Sequence, residues 1–360
     1  MTNRVPWWYT EIGEVEKRSV NSAFSRRAFS MGPVTAELEE KLAEFLDVPY
    51  VVAAPTGTAA ITMALMASGV GVGDEVIVPD LTWIATAQAV AMLGARVVCA
   101  DCRPDLPLID PEEVRKKVTR RTRAVIPVHL NGRRCDMESL GKIARQRRLL
   151  LIEDACKALG SGLPGQRLGT LGDLGCYSLG MVSLVSCGYG GAVATRNKRH
   201  YERLKCLRWH GVPKKPKEIY ATSGFNFKYS DILAAIGLAQ MQRVPEKIAH
   251  QKKIYEAYRD GLRGLAHLQV IPVDIASGEL PICFEVTSAR RERIIAYLAR
   301  HNVEGLRFHL PIHQAAYLKN PGSFPNAARF GRQGFILPCG PSQPLANVER
   351  CIDLLRRWRA

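Results

Sequence analysis

The stretch that decides the fold, residues 149–157, is Leu149-Leu150-Leu151-Ile152-Glu153-Asp154-Ala155-Cys156-Lys157. Its four consecutive apolar residues predict a buried strand, and the acidic pair at its end is costly to bury without partners. Similar short apolar runs lie before and after it, at residues 50–54, 75–79, 95–100, 124–129, 175–178 and 192–195. Helical patterns separate several of these runs, for example at 59–68, 84–93 and 137–145. The alternation predicts an α/β fold with a mostly parallel central sheet, whose ligands bind at the carboxyl ends of the strands.

Length and composition limit the class of protein. The 360 residues, 47% of them apolar, are enough for a large core and for two domains. We predict a large domain at residues 1–245, with an N-terminal arm, and a smaller C-terminal α/β domain at 246–360. No apolar run approaches the ~20 residues of a membrane span, and the N-terminus lacks the apolar segment of a signal peptide. A cytoplasmic location is therefore expected, and the scattered single cysteines predict neither a metal site nor a disulfide framework.

The charge balance favours anionic partners. Fifty Lys and Arg residues against 34 Asp and Glu residues give a net charge of +16, which suits a phosphorylated small molecule or a sugar nucleotide. The basic clusters are Arg115-Lys116-Lys117 with Arg120-Arg121, Arg145-Arg147-Arg148, Lys214-Lys215-Lys217 and Arg356-Arg357-Trp358-Arg359. No helix-turn-helix, RNP or zinc-finger pattern accompanies them, so solvated helix faces explain them better than a nucleic-acid site.

Three predicted strand ends carry candidate binding residues. Thr56, Gly57 and Thr58 open a helix, where free N–H groups, a close backbone approach and two hydroxyls suit a phosphate; the alternative is an ordinary helix N-cap. Trp83, predicted at the end of the second strand, could stack on a planar ring; the alternative is a core or interface tryptophan. Asp154 ends the central strand. There, a carboxylate can pair with the ring nitrogen of pyridoxal phosphate (PLP), unless it only caps the following turn.

Together with the hydroxyl of Ser178, these motifs resemble the DegT/DnrJ/EryC1/StrS family of sugar aminotransferases, which are PLP enzymes of fold type I. The resemblance covers nearly the whole chain and includes the segments 71–79, 126–132, 168–173, 224–231 and 311–313. It implies an aspartate aminotransferase-like fold and a homodimer with shared active sites. It also implies that Gly57, Thr58 and Ser178, beside Thr56, hold the phosphate with help from Asn226 of the partner subunit. Trp83 would stack on the ring, and Asp154 would pair with its nitrogen.

Two positions depart from the family pattern. The family's Schiff-base lysine falls where this chain has Ser183, and residues 176–191 contain no lysine. A serine hydroxyl cannot form that covalent link. Lys157 stands where the family usually has Gln or His, beside the phenolic oxygen of the ring and therefore close to the aldehyde carbon. Burial would lower the pKa of its ammonium group and free a nucleophile.

Three hypotheses follow for the function. In the first, Lys157 acts as the Schiff-base lysine or proton carrier of an enzyme that modifies a keto sugar or keto cyclitol for an antibiotic or a polysaccharide. In the second, pyridoxamine phosphate (PMP) is held without a lysine and the protein is a keto-sugar dehydratase, although Ser183 is a poor base at its ordinary pKa. In the third, the protein is a non-catalytic relative that binds a ligand or regulates a complete paralogue.

Catalytic roles are thus predicted for Lys157, Ser183 and His210, and substrate contacts for His309 and His313. For Lys157 the alternative is a cation that only neutralises the phenolate or a phosphate. Lone histidines such as His210, His309 and His313 can also be purely structural, and this alternative stays open for them.

Overall fold

The computed structural model describes residues 4–213, 220 and 222–359. The predicted basic cluster at 214–217 lies outside these residues. The strands, in chain order, are β1 (Tyr50–Ala54), β2 (Glu75–Pro79), β3 (Arg96–Ala100), β4 (Thr122–Val125), β5 (Leu150–Asp154), β6 (Gly162–Leu163), β7 (Gln166–Arg167), β8 (Leu174–Ser178), β9 (Gly191–Thr195), β10 (Gln269–Val270), β11 (Phe284–Thr287), β12 (Leu306–Arg307) and β13 (Gly334–Leu337).

The α-helices of the described residues surround two sheets. They are α1 (Glu14–Ser25), α2 (Pro33–Leu46), α3 (Gly57–Ala67), α4 (Ala85–Met92), α5 (Pro111–Lys117), α6 (Met137–Arg147), α7 (Lys198–Arg208), α8 (Asp231–Gln242), α9 (Val244–Gly261), α10 (Arg291–Arg300), α11 (Pro325–Gln333) and α12 (Leu345–Arg357). Within the described residues, no helix has both the length and the apolar character that a bilayer crossing needs.

The larger sheet has the order β1-β9-β8-β5-β4-β2-β3. Its neighbouring pairs from β8 to β3 are parallel, whereas β9 runs antiparallel to both β1 and β8. The predicted α/β class and mostly parallel sheet are therefore confirmed. Strand β2 is buried along its whole length, as expected for a strand covered on both faces.

Two details of the predicted strands are corrected. The strand expected at 124–129 is β4 and ends at Val125, since Pro127 has no N–H to donate to a sheet. The strand expected to end at Trp83 is β2, which ends at Pro79, so Trp83 lies in the loop just before α4.

A smaller antiparallel sheet with the order β10-β11-β13-β12 follows in the second part of the chain. A buried contact joins it to the larger sheet's loops, because Arg133 and Asn131 both donate hydrogen bonds to the carboxylate of Glu285 on β11. The N-terminal arm also reaches this part of the molecule, where Trp8 pairs with Cys339. The predicted boundary at 245/246 falls in the first turn of α9, and the division into domains stays a prediction.

The basic helices match the solvated faces expected from the sequence. Arg115 and Lys116 at the end of α5 form ion pairs with Glu112 and Glu113, one turn earlier on the same helix. Such exposed pairs contribute little to stability and indicate a helix face turned to water.

Candidate active site

Asp154 occupies the carboxyl end of β5, at the centre of the larger sheet, and is 5% exposed. Its carboxylate accepts a hydrogen bond of 2.7 Å from the hydroxyl of Thr86 on α4 and one of 3.1 Å from the backbone N–H of Cys156. Each carboxylate oxygen can accept more than one hydrogen bond, so both keep capacity for a further donor. Asp154 is therefore fixed in place but still able to bind.

The preceding carboxylate, Glu153, has a different environment because neighbouring side chains on a strand point to opposite faces. It is fully buried and accepts hydrogen bonds from His129 Nε2 (2.7 Å) and from backbone amides in residues 169–172. Burial opposes charge on His129, but Cys135 and Glu153 outweigh burial and raise the pKa of that imidazole to about 10. Glu153 is thus a structural residue, and only Asp154 remains for a ligand.

The turn between β1 and α3 has little free space around its glycine. Thr56 caps α3 by accepting a hydrogen bond of 3.0 Å from the backbone N–H of Ala59. A Cβ atom at Gly57 would lie 2.9 Å from Cys156 Sγ and 3.2 Å from Ser178 Cβ, so no larger residue fits there without a shift. The Ser178 hydroxyl accepts a weak bond of 3.2 Å from the N–H of Gly180. The start of an eleven-residue helix thus meets the end of β8, a geometry suited to an anion.

His309 lies next to both Trp83 and Lys157. The Trp83 side chain is 64% exposed, and its ring meets that of His309 edge-on with 5.6 Å between the centroids. Burial and the neighbouring Lys157 ammonium lower the pKa of His309 to about 4, so this imidazole is neutral at physiological pH. The backbone N–H of Thr86 donates to the Trp83 carbonyl (3.3 Å), so the tryptophan loop and Asp154 share one residue as a support.

Lys157 lies in the turn that follows β5, three residues after Asp154, and is half-buried. Its ammonium group donates a hydrogen bond to the backbone carbonyl of Val182. Burial lowers the pKa of Lys157, and nearby acidic groups oppose that change. In order of effect these groups are Cys283, Cys156, Asp154 and Cys339. The amine that the sequence singled out thus lies beside the residue that follows Val182, which is Ser183.

Ser183 is 2% exposed, and its hydroxyl has no hydrogen-bond partner among the described residues. The carbonyls on either side of it do have partners, because Lys157 binds that of Val182 and Lys247 binds that of Leu184 at 3.0 Å. A buried hydroxyl without a partner is rare in folded proteins and calls for a reason. A ligand that completes its hydrogen bonding is one such reason.

Two other predicted site residues, His210 and Asn226, make their contacts outside the group formed by Asp154, Lys157 and Ser183. His210 and Asn226 are exposed and belong to neighbouring turns, where Trp209 pairs with Asn226. Within the described residues no hydrogen bond links either of them to Asp154 or Lys157. Their predicted roles remain predictions.

His313 has partners of its own. Its ring Nδ1 is 2.6 Å from Asp80 Oδ2, its backbone N–H donates to Asp80 Oδ1 at 2.8 Å, and its ring stacks on Phe324. Since Asp80 is fully buried, this contact anchors the loop after β12 to the end of β2. The substrate contact predicted for His313 remains a prediction.

Sequence reasoning did not find Thr86 or Lys247. Thr86 lies three residues after Trp83, and its role depends on an approach of α4 to β5 that no local pattern shows. Lys247 did leave a signal, because it falls on the buried stripe of α9 between Val244 and Gln251. A lysine at helical spacing within a buried stripe predicts a buried amine, although it does not name the partner.

These residues fit a phosphorylated pyridine such as PLP or PMP. The close-packed Gly57 and the start of α3 suit the phosphate, Asp154 has free acceptor capacity for a protonated ring nitrogen, and Trp83 offers an open aromatic face. Ser183 supplies a buried hydroxyl without a partner in the described structure, and Lys157 supplies an amine next to it.

Comparison with known proteins agrees with this chemistry. Residues 10–356 match the DegT/DnrJ/EryC1/StrS aminotransferase family. The chain is 32% identical to GDP-perosamine synthase of Caulobacter vibrioides, over 91% of this chain and 90% of that protein. It is 31% identical to dTDP-3-amino-3,4,6-trideoxy-alpha-D-glucose transaminase of Streptomyces venezuelae, over 99% and 97%. The crystal structure of DesV from S. venezuelae superposes with a TM-score of 0.92 at 29% identity, over the full length of both chains.

Proposed function

Because the chain belongs to the DegT/DnrJ/EryC1/StrS aminotransferase family, we propose that it transforms a nucleotide-linked keto sugar or a keto cyclitol, with Lys157 supplying the amine that Ser183 lacks. The chain is an aminotransferase-like enzyme of a family that uses PLP or PMP. Its named relatives act on GDP- and dTDP-linked sugars, which supports a nucleotide-sugar substrate and a pathway to an antibiotic or a polysaccharide.

The observation that carries the proposal is the contact between Lys157 and the segment of Ser183. The amine of Lys157, which interacts electrostatically with Asp154, donates to the Val182 carbonyl, directly before Ser183, the residue that we assign to the family's lysine position. Its pKa is lowered by burial, which increases the fraction of free amine at neutral pH. An amine in that state can attack a carbonyl carbon or carry a proton.

Each residue of the cluster has a separate task in this proposal. Gly57, Thr58 and Ser178 bind the phosphate, and Asp154 holds a proton on the ring nitrogen through its carboxylate. PLP or PMP, when bound, supplies an electron sink that stabilises negative charge on a substrate carbon. Lys157 Nζ takes up and returns the proton at that carbon, and it can move between this role and the Val182 carbonyl by rotation of its side chain.

His309 and the net charge orient the substrate in this proposal. With a pKa of about 4, His309 is neutral and can accept or donate a hydrogen bond without adding charge next to Lys157. The excess of 16 positive charges attracts the phosphates of a nucleotide from a distance. Neither feature names the sugar.

We further propose that two copies of the chain form a homodimer with shared sites. Four large apolar side chains are exposed on the described monomer. Phe24 lies on α1 and Phe29 follows it in the chain, whereas Phe225 precedes Asn226 and Trp209 pairs with Asn226. Exposed aromatic groups of this kind are typical of protein–protein contacts. Size-exclusion chromatography with light scattering tests this, with a mass near twice 39.8 kDa expected.

The decisive experiment is covalent trapping. The purified protein is incubated with PLP, reduced with borohydride, digested and mapped by mass spectrometry. A phosphopyridoxyl group on Lys157 is expected, and Lys247, a buried lysine that also donates to a backbone carbonyl, is the internal control that should stay unmodified. Bound PLP without an adduct on Lys157 would contradict the proposal.

The same preparation separates the other two hypotheses. Binding of PMP together with release of water from a keto-sugar nucleotide, and no amine transfer from glutamate, would favour the dehydratase. Absence of both PLP and PMP binding would favour a non-catalytic relative or a regulator of a complete paralogue.

A further inference from the structure

Ser183 is bracketed by two lysines from different parts of the fold. Lys157, in the turn after β5, donates to the carbonyl of Val182, and Lys247, on α9, donates to the carbonyl of Leu184. The two acceptors are the carbonyls directly before and after the Ser183 peptide. The segment around Ser183, which contains no lysine of its own, is thus bound by two lysines from other parts of the chain.

The segment depends on these contacts because its own backbone is weakly tied. Among the described residues, no backbone–backbone hydrogen bond involves residues 181–186; the nearest are Leu179 N–H to Gly190 O and Cys187 N–H to Leu179 O. Thr10 adds only a long contact of 3.5 Å to the Met181 carbonyl. The side chains of Leu184 and Val185 are buried, but apolar burial does not fix the direction of a carbonyl group.

Lys247 is itself held rigidly. It is 2% exposed, and its ammonium also donates to the side-chain oxygen of Gln240. The Gln240 amide in turn donates to Glu16 at 2.7 Å and to the Glu11 carbonyl at 3.2 Å. The Leu184 carbonyl is therefore fixed by a network that joins α1, α8 and α9.

We propose that Lys247 is a positioning residue for Lys157. By fixing the Leu184 carbonyl, Lys247 sets the orientation of the neighbouring Ser183 peptide group. That peptide group in turn sets the direction of the Val182 carbonyl, which accepts the hydrogen bond from the Lys157 amine. This inference rests on the proposed function, in which Lys157 supplies the amine. Lys247 does not touch substrate or cofactor in this assignment. It acts through two peptide groups.

The inference predicts opposite changes in two kinds of Lys157 reactivity. Lys247→Met frees the Leu184 carbonyl, so the Val182 carbonyl no longer stabilises the charged form of Lys157. The pKa of Lys157 should fall, and its labelling by acetic anhydride at pH 7.5 should rise about tenfold, the scale of a lost hydrogen bond to a charged group. Trapping of PLP on Lys157 should instead slow about tenfold, because the amine has lost its fixed orientation.

The labelling is measured on the protein without cofactor, as a function of pH, by mass spectrometry of the Lys157 peptide. The groups that face Lys157 are the same in wild type and variant: Asp154, Cys156, Cys283, Cys339 and His309. Lys253→Met is the matched control, because it makes the same change of charge at an exposed position on the same helix. It should leave both reactivities unchanged.

Equal labelling and equal trapping in wild type and Lys247→Met would overturn the assignment. A rise in labelling at all buried lysines would do so as well, since it would indicate general loosening. Gln240→Met is the second variant: it keeps Lys247 but removes its side-chain acceptor, and a shift of Lys157 in the same direction but smaller is expected. Failure of both variants to fold would make Lys247 a purely structural residue and refute the positioning role.

The two proposals can fail separately. If wild-type Lys157 is not trapped by PLP, the proposed function is wrong, but the labelling of the cofactor-free protein still reports whether Lys247 controls Lys157. If trapping succeeds and Lys247→Met has no effect, only the positioning role is lost.

Discussion

The two ends of the Ser183 peptide lie in different environments. On the side of Lys247, each partner belongs to a closed network: Leu184 and Gln240 accept from the ammonium, and Gln240 continues to Glu16. On the side of Lys157, the ammonium donates to one acceptor within the described residues, the Val182 carbonyl, and it lies near His309, whose ring contacts the exposed ring of Trp83.

The comparison shows how one chemical group can serve structure or reaction. A buried amine whose hydrogen bonds are all made has no reason to react, and its removal leaves acceptors without donors. An amine with one movable contact, next to a carboxylate and a hydroxyl that still have free capacity, can exchange that contact for a ligand. We propose that Lys247 is an amine of the first kind and Lys157 one of the second.

The strongest test of this distinction compares the loss of turnover and the loss of stability when each lysine is replaced by methionine. Lys157→Met should lower turnover by about 100- to 10,000-fold, the range for loss of a proton-transferring group, while the free energy of unfolding changes by about 1 kcal/mol or less. Lys247→Met should lower the free energy of unfolding by about 1–3 kcal/mol, because it leaves the Leu184 and Gln240 oxygens without donors. Urea unfolding and steady-state kinetics of both variants measure the four values.

Lys157→Arg is the control for the first variant, since it keeps the charge and the hydrogen bond but not a free amine. It should retain stability and lose turnover as Lys157→Met does. Retention of turnover by Lys157→Arg would reduce Lys157 to a neutralising cation, the alternative that the sequence left open.

The second prediction compares the neighbouring carboxylates of β5. Asp154→Asn should weaken PLP binding about 30- to 1,000-fold, since a carboxylate that pairs with a charged group is worth about 2–4 kcal/mol. Glu153→Gln should instead lower the free energy of unfolding by about 2 kcal/mol, because Glu153 accepts from His129 and from the 169–172 loop. Fluorescence titration with PLP and urea unfolding distinguish the two. Equal loss of PLP affinity in both variants would contradict the separate roles.

The sequence predicts where these carboxylates and Lys247 lie in the fold, but it does not predict their partners, because the partners come from distant parts of the chain. The apolar run before Glu153 and Asp154 predicts β5, and strand periodicity predicts that the two carboxylates point to opposite faces. Which face carries the ligand depends on Thr86 and on the 169–172 loop, which come from distant parts of the chain. Likewise, the stripe of α9 predicts that Lys247 is buried, but its partner is set by the packing of a segment without regular structure.

A third prediction uses the pKa of Lys247. Burial, with Arg243 acting in the same direction, lowers the pKa of its ammonium to about 8, from an ordinary value of 10.5. Between these two values the unfolded chain binds more protons at this lysine than the folded chain, so folding gains stability as the pH rises. The stability of wild type relative to Lys247→Met should therefore increase by about 2.5 kcal/mol from pH 8 to pH 10.5.

Urea unfolding at several pH values measures this difference. Lys253→Met, which removes an exposed lysine of the same helix, should show no such dependence. If the stability of wild type relative to Lys247→Met instead falls over this pH range, the surroundings of Lys247 stabilise its charged form. The comparison with Lys157 would then lose its basis.

The smallest expected effect concerns the hydroxyl between the two carbonyls. Because Ser183 Oγ is buried without a partner in the described structure, Ser183→Ala should raise the free energy of unfolding of the cofactor-free protein by up to about 1 kcal/mol. Ser186→Ala is the matched control: Ser186 is also buried but accepts from the Gly188 N–H, so its removal should destabilise. If a ligand forms a hydrogen bond with the Ser183 hydroxyl, Ser183→Ala should also weaken PLP or PMP binding severalfold. If Ser183→Ala is more stable without cofactor but binds the cofactor less tightly, Ser183 belongs with Lys157 as a ligand-binding residue. If the variant is less stable and its cofactor binding is unchanged, Ser183 belongs with Lys247 as a structural residue.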